Sequence, residues 1–390
     1  MRTSRTLVAV AAFLALAVAL GACALTRPDD SPQVQARLGV AALLSGDGSG
    51  FARALAPRPF AFPADHGPHP EYRNEWWYFT GNLATPAGRR FGFQLTFFRT
   101  ALSARPAARD SAWASNQVYM AHFALSDVDG GRFYAFERFS RGALGLAGAE
   151  AAPFRVWLHD WSAAGGEQEA LPTRLRAAQG GAAIDLLLAV GKPVVLQGEA
   201  GLSRKGPEAG NASYYYSHTR LPTTGSVRVG EETFAVAGNS WLDREWSTSA
   251  LGEELEGWDW FALQLDDGRE VMFYRLRRRD GASDPLSAGT VVAADGTSRS
   301  LGAADCQLAV VDRWRSPRGG TFYPARWRLR LPAEDIDLEV TPLLADQELD
   351  LSVRYWEGAV SVRGTSAGRP IAGRGYVELT GYADRESGRQ

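Results

Sequence analysis

Short hydrophobic runs separated by turn residues follow one another along the middle of the chain. Glycine, proline and acidic residues mark the breaks, as in Pro86-Ala87-Gly88 and Gly230-Glu231-Glu232. Between these breaks no segment has the length and 3.6-residue period of an amphipathic helix. Runs of this length that are rich in aromatic and β-branched residues predict strands. The predicted strands span residues 76–83, 91–98, 118–126, 132–139, 154–161, 184–190, 214–221, 226–229 and 234–246.

The densest aromatic run follows a single carboxylate, Glu75. Trp76, Trp77, Tyr78 and Phe79 come directly after it. Neighbouring side chains of a strand point to opposite faces, so Trp77 and Phe79 should share one face and Trp76 and Tyr78 the other. Both faces of this strand must therefore be covered by other parts of the protein.

The chain contains an internal repeat. Trp76-Trp77-Tyr78-Phe79 returns as Trp258-Asp259-Trp260-Phe261, displaced by 182 residues (258 minus 76). Near the end of each unit, residues 236–243 align with residues 371–378 without a gap. Two related domains explain this pattern most simply. We expect them at 60–249 and 256–386, with the boundary between residues 247 and 257.

The composition favours an all-β fold. The chain has 42 Gly, 18 Phe, 12 Trp and 12 Tyr, and aromatic residues prefer strands whereas glycine prefers tight turns. Evenly spaced short strands indicate a sandwich or an up-and-down barrel. Residues 24–59, rich in Ala, Pro and Gly, are expected to form a tether, with one apolar patch at 38–44 that has the length of a short helix.

The first 23 residues have the organisation of a bacterial export signal. Two arginines, Arg2 and Arg5, precede an apolar run at 7–20 that is too short to span a bilayer. The following Leu20-Gly21-Ala22-Cys23 resembles the lipobox of bacterial lipoproteins. This resemblance implies lipid attachment to Cys23 and a periplasmic, membrane-anchored location, and Ala24 favours the outer membrane. The alternative is an ordinary signal peptide with a chance cysteine.

Charge and cysteine content exclude several classes of function. A net charge of -2 lacks the basic excess that nucleic-acid binding needs. With Cys23 used for the lipid, the second cysteine, Cys306, has no disulfide partner and is expected to be a small buried apolar residue. Five histidines without a CxxC or HExxH pattern predict neither a metal site nor a cofactor.

Four motifs of the chain are distinctive when taken together. They are Pro63-Ala64-Asp65-His66-Gly67, Glu75-Trp76-Trp77-Tyr78-Phe79-Thr80-Gly81, Ser217-His218-Thr219-Arg220 and Trp241-Leu242-Asp243-Arg244-Glu245-Trp246. This combination resembles the carotenoid 1,2-hydratase family, which is also called hydroxyneurosporene synthase and includes AttH-like, lipocalin-like proteins. The resemblance covers nearly all of the chain from about residue 60 and implies two tandem lipocalin-like β-barrels. It also implies cofactor-free addition of water to a terminal C=C bond of an acyclic carotene.

The resemblance further implies which residues carry the reaction. The acid proposed for the family is an aspartate two residues after an aromatic, which matches Asp243 after Trp241. A histidine on the preceding strand matches His218. Arg220 stands where the family has an aromatic residue, which is a departure from the family pattern.

Chemical reasoning leads to the same carboxyl group. Hydration of an unactivated alkene requires protonation to a tertiary carbocation, so the catalyst must be a carboxylic acid that stays protonated near neutral pH. Burial against aromatic rings raises the pKa of a carboxyl group in this way. Trp241, Asp243 and Glu245 alternate onto one face of their predicted strand. Tyr216, His218 and Arg220 should likewise share a face, where they would position water and supply a counter-charge. Arrays of rings would stabilise the cation.

The predicted site therefore has a catalytic and a ligand-binding part. The predicted catalytic residues are Asp243, His218 and Glu245. The predicted ligand-binding residues are Trp241, Tyr216, Trp76, Trp77, Tyr78, Glu75, Arg220 and His122.

Structural roles remain open for many of these residues. Residues 243–245 have the charges to form salt bridges that close or dock a barrel. The aromatic run at 76–79 suits a barrel core and interdomain packing. Glu75 is expected to pair with an arginine such as Arg99, His122 to be a hydrogen-bonded core residue, and His66 and His69 to lie on a surface loop.

Three functions compete at this point. The first is a cofactor-free hydro-lyase or isomerase that acts on a hydrophobic isoprenoid with Asp243 as the acid, and the residue match favours it. The second is a non-enzymatic module that binds a lipid and passes it to envelope transporter subunits, and lipidated export favours it. The third is a scaffold for an envelope complex. Incubation in labelled water would distinguish the enzyme from the other two functions, because only the enzyme would give a product that carries the label.

Overall fold

The structure is a computed structural model that describes residues 48–105, 110–166, 169–248, 251–252 and 254–383. The export signal, Cys23 and the apolar patch at 38–44 lie outside the described residues. Within the described part the chain is all-β, with no α-helix and three short 3₁₀ turns. No helix there is long and apolar enough to cross a bilayer. The predicted fold class is confirmed: two curled antiparallel sheets form two tandem lipocalin-like barrels.

The first sheet contains thirteen strands. Their order along the sheet is β4-β3-β2-β1-β13-β12-β9-β8-β7-β6-β5, and β10 and β11 both pair with β12. The strands are β1 (Asn74–Ala84), β2 (Arg90–Ala101), β3 (Gln117–Asp127), β4 (Arg132–Arg141), β5 (Ala147–Ala151), β6 (Phe154–Leu158), β7 (Trp161–Ala164), β8 (Thr173–Gln179), β9 (Ala182–Leu188), β10 (Val195–Leu196), β11 (Leu202–Arg204), β12 (Ala212–Val229) and β13 (Glu232–Ser247).

The second sheet contains ten strands in a matching order. The order is β17-β16-β15-β14-β23-β22-β20-β19-β18, and β21 pairs with β22. The strands are β14 (Leu255–Leu265), β15 (Glu270–Arg278), β16 (Ala288–Val292), β17 (Ser298–Gly302), β18 (Gln307–Arg315), β19 (Phe322–Leu331), β20 (Ile336–Pro342), β21 (Glu348–Asp350), β22 (Arg354–Ser366) and β23 (Arg369–Leu379).

The internal repeat is visible in the strand register. In each sheet the aromatic opening strand, β1 or β14, lies between its own hairpin partner and the last strand of its unit. Tyr78 pairs with Asp243 across β1 and β13. Trp260, which is Tyr78 displaced by the repeat, pairs with Glu378 across β14 and β23. Asp243 and Glu378 therefore occupy equivalent positions in the two halves.

The two faces of β1 are covered by different parts of the protein, as the alternation predicts. Trp77 and Phe79 belong to the core inside the first sheet. Tyr78 and Trp76 lie on the other face, in a separate apolar cluster with Trp260 of the second sheet. The outer faces of the two sheets thus meet, and β1 contributes to both a barrel core and the contact between halves.

Small and polar residues bring the two sheets into close contact. A Cβ atom added to Gly92 on β2 would lie 2.5 Å from the Cβ of Ala359 on β22. Nearby, Asn82 Nδ2 donates to the Gly375 carbonyl over 2.9 Å. The backbones can therefore approach at this point only because position 92 carries no side chain.

The segment before β1 packs against the first sheet. Residues 48–59, which the sequence assigns to the tether, include the buried Ala54. The Arg58 guanidinium lies 5.0 Å from the ring centroid of Tyr214 and 5.4 Å from that of Trp246. A short 3₁₀ turn, Ala64–His66, follows. This segment covers polar and aromatic groups of β12 and β13.

Candidate functional site

The outer faces of the two sheets enclose part of a cavity of about 150 Å³. Both halves of the chain contribute to its largely apolar wall. Its principal aromatic side chains are Trp76, Tyr78, Trp258, Trp260, Tyr274 and Tyr355. The predicted site residues all lie within residues 60–249, whereas the second half of the chain also lines this cavity.

Asp243 on β13 lies in this wall and accepts three hydrogen bonds. Ser217 Oγ and Trp241 Nε1 donate to its Oδ1 over 2.5 and 2.6 Å. The Tyr215 hydroxyl donates to Oδ2 and accepts a bond of 3.2 Å from Trp260 Nε1. Since Trp260 belongs to the second sheet, both halves fix the position of this carboxyl group.

The environment of Asp243 is unusual for an aspartate. Its side chain is buried, and within the described residues no arginine or lysine lies at ion-pair distance. Burial raises the pKa of Asp243 to about 7, and the negative charge of Glu245 acts in the same direction. The three donors oppose this shift because they favour the carboxylate. Near neutral pH, both the acid and the carboxylate forms are therefore populated.

Glu245 lies two residues further along β13 and also lines the cavity. The Ser213 hydroxyl donates to its Oε1, and Lys205 Nζ lies 3.2 Å from the same oxygen. The ammonium group of Lys205 is also 4.3 Å from the ring centroid of Tyr274. The shared face of Asp243 and Glu245 is thus as predicted, but Glu245 is an ion-paired carboxylate and is less suited to donate a proton.

His218 and Tyr216 do not reach the cavity, contrary to the sequence-based expectation. Both side chains lie on the face of β12 opposite to the Tyr215 side chain that contacts Asp243. His66 Nδ1 lies 2.6 Å from the Tyr216 hydroxyl, and its ring is 6.0 Å from that of His218. Burial lowers the pKa of His218 to about 4. His218 is therefore a neutral interior residue at neutral pH and does not position water at Asp243.

Arg220 is also absent from the cavity, for a different reason. A β-bulge shifts the register of β12 against β13 between His218 and Leu221, so Arg220 does not continue the face of Tyr216 and His218. Its Nε donates to Glu270 Oε1 over 2.5 Å, and Lys192 Nζ lies 2.7 Å from the other oxygen of Glu270. Arg220 thus docks β12 onto the second sheet.

Glu75 and Trp77 belong to the interior of the first barrel and not to the cavity. Glu75 forms ion pairs with Arg99 and Arg244, which confirms the pairing expected with Arg99. The Arg244 guanidinium stacks on the Trp77 ring, 4.0 Å from its centroid. These residues are placed to stabilise the fold, because their side chains point away from the cavity.

Three further histidines, His66, His69 and His122, have buried partners. His66 and His69 are each 7% exposed, so their expected place on a surface loop is wrong. The ring of His69 stacks on Trp246 at 3.8 Å. His122 does line the cavity. It is also hydrogen-bonded, as expected, with Nδ1 2.7 Å from the Tyr355 hydroxyl and Nε2 3.1 Å from Glu137.

In the described part of the chain, no three His, Cys, Asp or Glu side chains cluster so that they could hold a metal ion. The free thiol of Cys306 is buried. Burial raises the pKa of Cys306 to about 12, so it is not a nucleophile at neutral pH. Cys306 is therefore the small buried residue that the sequence predicts.

Several residues of the site were not among the predicted ones: Tyr215, Ser217, Lys205, Trp258, Trp260 and Glu378. Tyr215 and Ser217 lie on the face of β12 opposite to that of the predicted residues Tyr216 and His218. Lys205 directly follows the short strand β11 and has no distinctive pattern around it. Glu378, by contrast, was visible in the repeat as the counterpart of Asp243.

Comparisons with known proteins agree with this architecture. A family model described as AttH-like matches residues 53–382. The structure of an AttH protein from Nitrosomonas europaea is 36% identical, with a TM-score of 0.75, and the match covers 85% of this chain and 100% of that one. No curated protein matches the chain significantly.

More distant structures share the fold. Kievitone hydratase from Nectria haematococca is 16% identical with a TM-score of 0.63, and the match covers 86% of this chain and 98% of that one. CghA, solved with Sch210972, is 15% identical with a TM-score of 0.50, covering 87% and 98%. At these identities the likeness concerns the fold alone. Together with the family model, it confirms the resemblance stated from the motifs.

Proposed function

This chain belongs to the AttH-like family, and from the geometry of its cavity we propose that it adds water to a C=C bond of a hydrophobic molecule by acid catalysis. The observation that carries the proposal is Asp243. Its carboxyl group faces an aromatic-walled cavity, and burial raises its pKa to about 7. An ordinary aspartate would be almost fully ionised at neutral pH and would be a poor proton donor.

The first step is proton transfer from Asp243 to one carbon of the alkene. The π electrons form the new C–H bond, and the other carbon becomes a tertiary carbocation. Trp76, Trp258 and Trp260 present ring surface to the cavity, and the negative face of an aromatic ring attracts a cation. A water molecule then donates an electron pair to the cation, and loss of one of its protons gives the tertiary alcohol.

The size of the cavity limits what enters it. A cavity of roughly 150 Å³ holds about one benzene molecule. This volume suits the branched end of an isoprenoid chain and is too small for a whole lipid. A terminal, trisubstituted alkene is therefore the proposed substrate group, with the rest of the molecule outside the cavity. A carrier that encloses an entire lipid fits this volume less well.

The location of the activity is proposed from the export signal alone. We propose that lipid attached to Cys23 holds the protein at the periplasmic face of a membrane, where hydrophobic substrates are concentrated. Residues 24–47 would then connect the anchor to the β domains.

The test is incubation of the full chain with an acyclic isoprenoid alkene, such as squalene, in water enriched in oxygen-18. We expect a tertiary alcohol that carries one labelled oxygen. Asp243→Asn should lower the rate by about 100-fold or more, which is the usual contribution of a general acid. Asp185→Asn is the control, because Asp185 on β9 is partly exposed and does not line the cavity, and it should leave the rate unchanged. Retention of the alkene without turnover by both the unaltered chain and Asp243→Asn would instead indicate a binding protein.

A further inference from the structure

The second half of the chain brings its own carboxyl group to the cavity. Glu378 on β23 lines the cavity together with Asp243. The two residues are equivalent in the internal repeat, since Tyr78 pairs with Asp243 and Trp260 with Glu378. The duplication of the domain has thus placed two acids on opposite walls of one cavity.

Glu378 resembles Asp243 in its surroundings. Trp258 Nε1 donates to its Oε1 over 2.6 Å, just as Trp241 Nε1 donates to Asp243. Within the described residues no arginine or lysine lies at ion-pair distance from Glu378. A structural carboxylate of this protein usually has such a partner: Glu75, Asp259 and Glu270 are each held by two cations. The charge of Glu378 is left without a counter-ion.

The charged groups around this pair are mostly acidic. Burial raises the pKa of Glu378 to about 7, and the charges of Asp243 and Glu245 act in the same direction. Glu357 lies opposite Glu378 on β22, and burial keeps its pKa well above the usual value. Lys205, which pairs with Glu245, and His122 also line the cavity. Four tyrosines line it as well: Tyr78, Tyr215, Tyr274 and Tyr355.

We infer that Glu378 is the second catalytic carboxyl group, the base that accepts a proton from the attacking water while Asp243 acts as the acid. Two nearby carboxyl groups that repel each other lose their protons in separate steps, so one remains an acid while the other is ionised. This division of roles between paired carboxyls is what hydration requires. The inference rests on the proposed hydration and adds a residue to it.

The proton balance of the reaction follows from these roles. Asp243 gives a proton to carbon and becomes a carboxylate. As the water oxygen bonds to the carbocation, one of its O–H bonds breaks and that proton passes to Glu378. The product is a neutral alcohol, and a proton then returns from Glu378 to Asp243 through solvent. No oxidant, reductant or other reagent is needed.

The test uses Glu378→Gln in the full chain, compared with Asp243→Asn. The rate of hydration by the unaltered chain should fall at low pH, where Glu378 is protonated, and at high pH, where Asp243 is ionised. Glu378→Gln should lower kcat by about 100-fold or more and remove the fall at low pH. Glu378→Asp should restore part of the rate. Infrared titration of the carboxyl C=O band should show a lower pKa for Asp243 in Glu378→Gln, since a neighbouring negative charge is gone.

Glu339→Gln is the control, because this carboxyl on β20 of the same sheet is exposed and does not line the cavity. It should retain both limbs of the pH profile. Circular dichroism and the melting temperature report whether each variant is folded. If the Glu378→Gln variant still hydrates the alkene and its rate still falls at both low and high pH, this inference alone is overturned. Asp243 then remains the acid. If the unaltered chain hydrates no alkene, the proposed function fails and the inference fails with it.

Discussion

At the residue scale, carboxyl groups of this protein differ most in their counter-ions. Glu75 is completely enclosed, and burial alone would raise its pKa. Arg244 and Arg99 outweigh burial and hold the pKa of Glu75 well below its usual range. Asp243 is almost as buried but has only neutral donors, and its pKa is raised. The same burial therefore produces a permanent anion at one position and a proton donor at the other.

This contrast predicts a large loss of stability on neutralising Glu75. Glu75→Gln leaves the guanidinium groups of Arg99 and Arg244 buried without a carboxylate, which costs about 3–5 kcal/mol for a broken buried pair. Urea unfolding followed by tryptophan fluorescence measures this free energy. The control is Asp185→Asn, which breaks the exposed pair with Arg174 and should cost less than about 1 kcal/mol. Equal losses in the two variants would show that the buried cluster has no special role.

At the scale of strands, the alternation of side chains along β13 and β23 determines which residues reach the cavity. Asp243 and Glu378 reach the same cavity because each lies in register with an aromatic residue of its opening strand, Tyr78 or Trp260. A shift of one residue in either pair would turn the carboxyl group into a barrel core. The close approach of Gly92 to Ala359 brings the sheets that carry these strands together.

Gly92→Ala should therefore destabilise the contact between the halves. The added Cβ would lie 2.5 Å from the Cβ of Ala359, and overpacking of this kind costs about 1–3 kcal/mol. Ala359→Gly in the same chain removes the opposing methyl group and should restore part of the loss. Gly302→Ala is the control, since the nearest atom to its Cβ is 3.7 Å away. The denaturant midpoint reports the stability of all four chains, which are the unaltered chain, Gly92→Ala, Gly92→Ala with Ala359→Gly, and Gly302→Ala. If Ala359→Gly restores none of the lost stability, the steric explanation is contradicted.

Much of the fold could be predicted from the sequence because alternation and the repeat are local signals. They correctly separate Trp77 from Trp76 and bring Asp243 and Glu245 to one face. They do not state which face of a barrel strand meets a second sheet, so Tyr216 was selected and Tyr215 was missed. The bulge that redirects Arg220 is followed directly by Pro222, but a single proline does not indicate which residues change their register. The burial of His66 depends on contact with Tyr216, 150 residues away, which no local pattern encodes.

At the scale of the whole molecule, the contact between the halves contains both an ion-paired carboxylate and carboxyl groups without an ion-pair partner. On one side Glu270, fully buried, is neutralised by Arg220 and Lys192, and these ion pairs dock the two sheets. On the other side, Asp243 and Glu378 line the cavity without an ion-pair partner among the described residues, since Lys205 pairs with Glu245. The first arrangement stabilises the docked state, whereas the second opposes it whenever both carboxyls are ionised.

This opposition gives the stability of the whole protein a particular pH dependence. The pKa of Asp243 rises from 3.8 to about 7 on folding, and that of Glu378 from 4.5 to about 7. The folded state therefore binds more protons than the unfolded state in this window, and these two groups lower stability as the pH rises through it. His218 acts in the opposite direction between pH 4 and 6.5, because burial lowers its pKa to about 4. The net profile of the unaltered chain is consequently a sum of opposing contributions.

A double variant isolates the two carboxyls from these other groups. Asp243→Asn with Glu378→Gln removes both titrations and leaves His218 and the remaining groups as they are. The unfolding free energy of the unaltered chain minus that of the variant should decrease as the pH rises from 4.5 to 7. Its slope should reach at most about 1.4 kcal/mol per pH unit for each carboxyl. Urea unfolding at several pH values measures this difference. A difference that stays constant over the window would mean that the two carboxyls titrate normally, and neither would then be the proton donor that hydration needs.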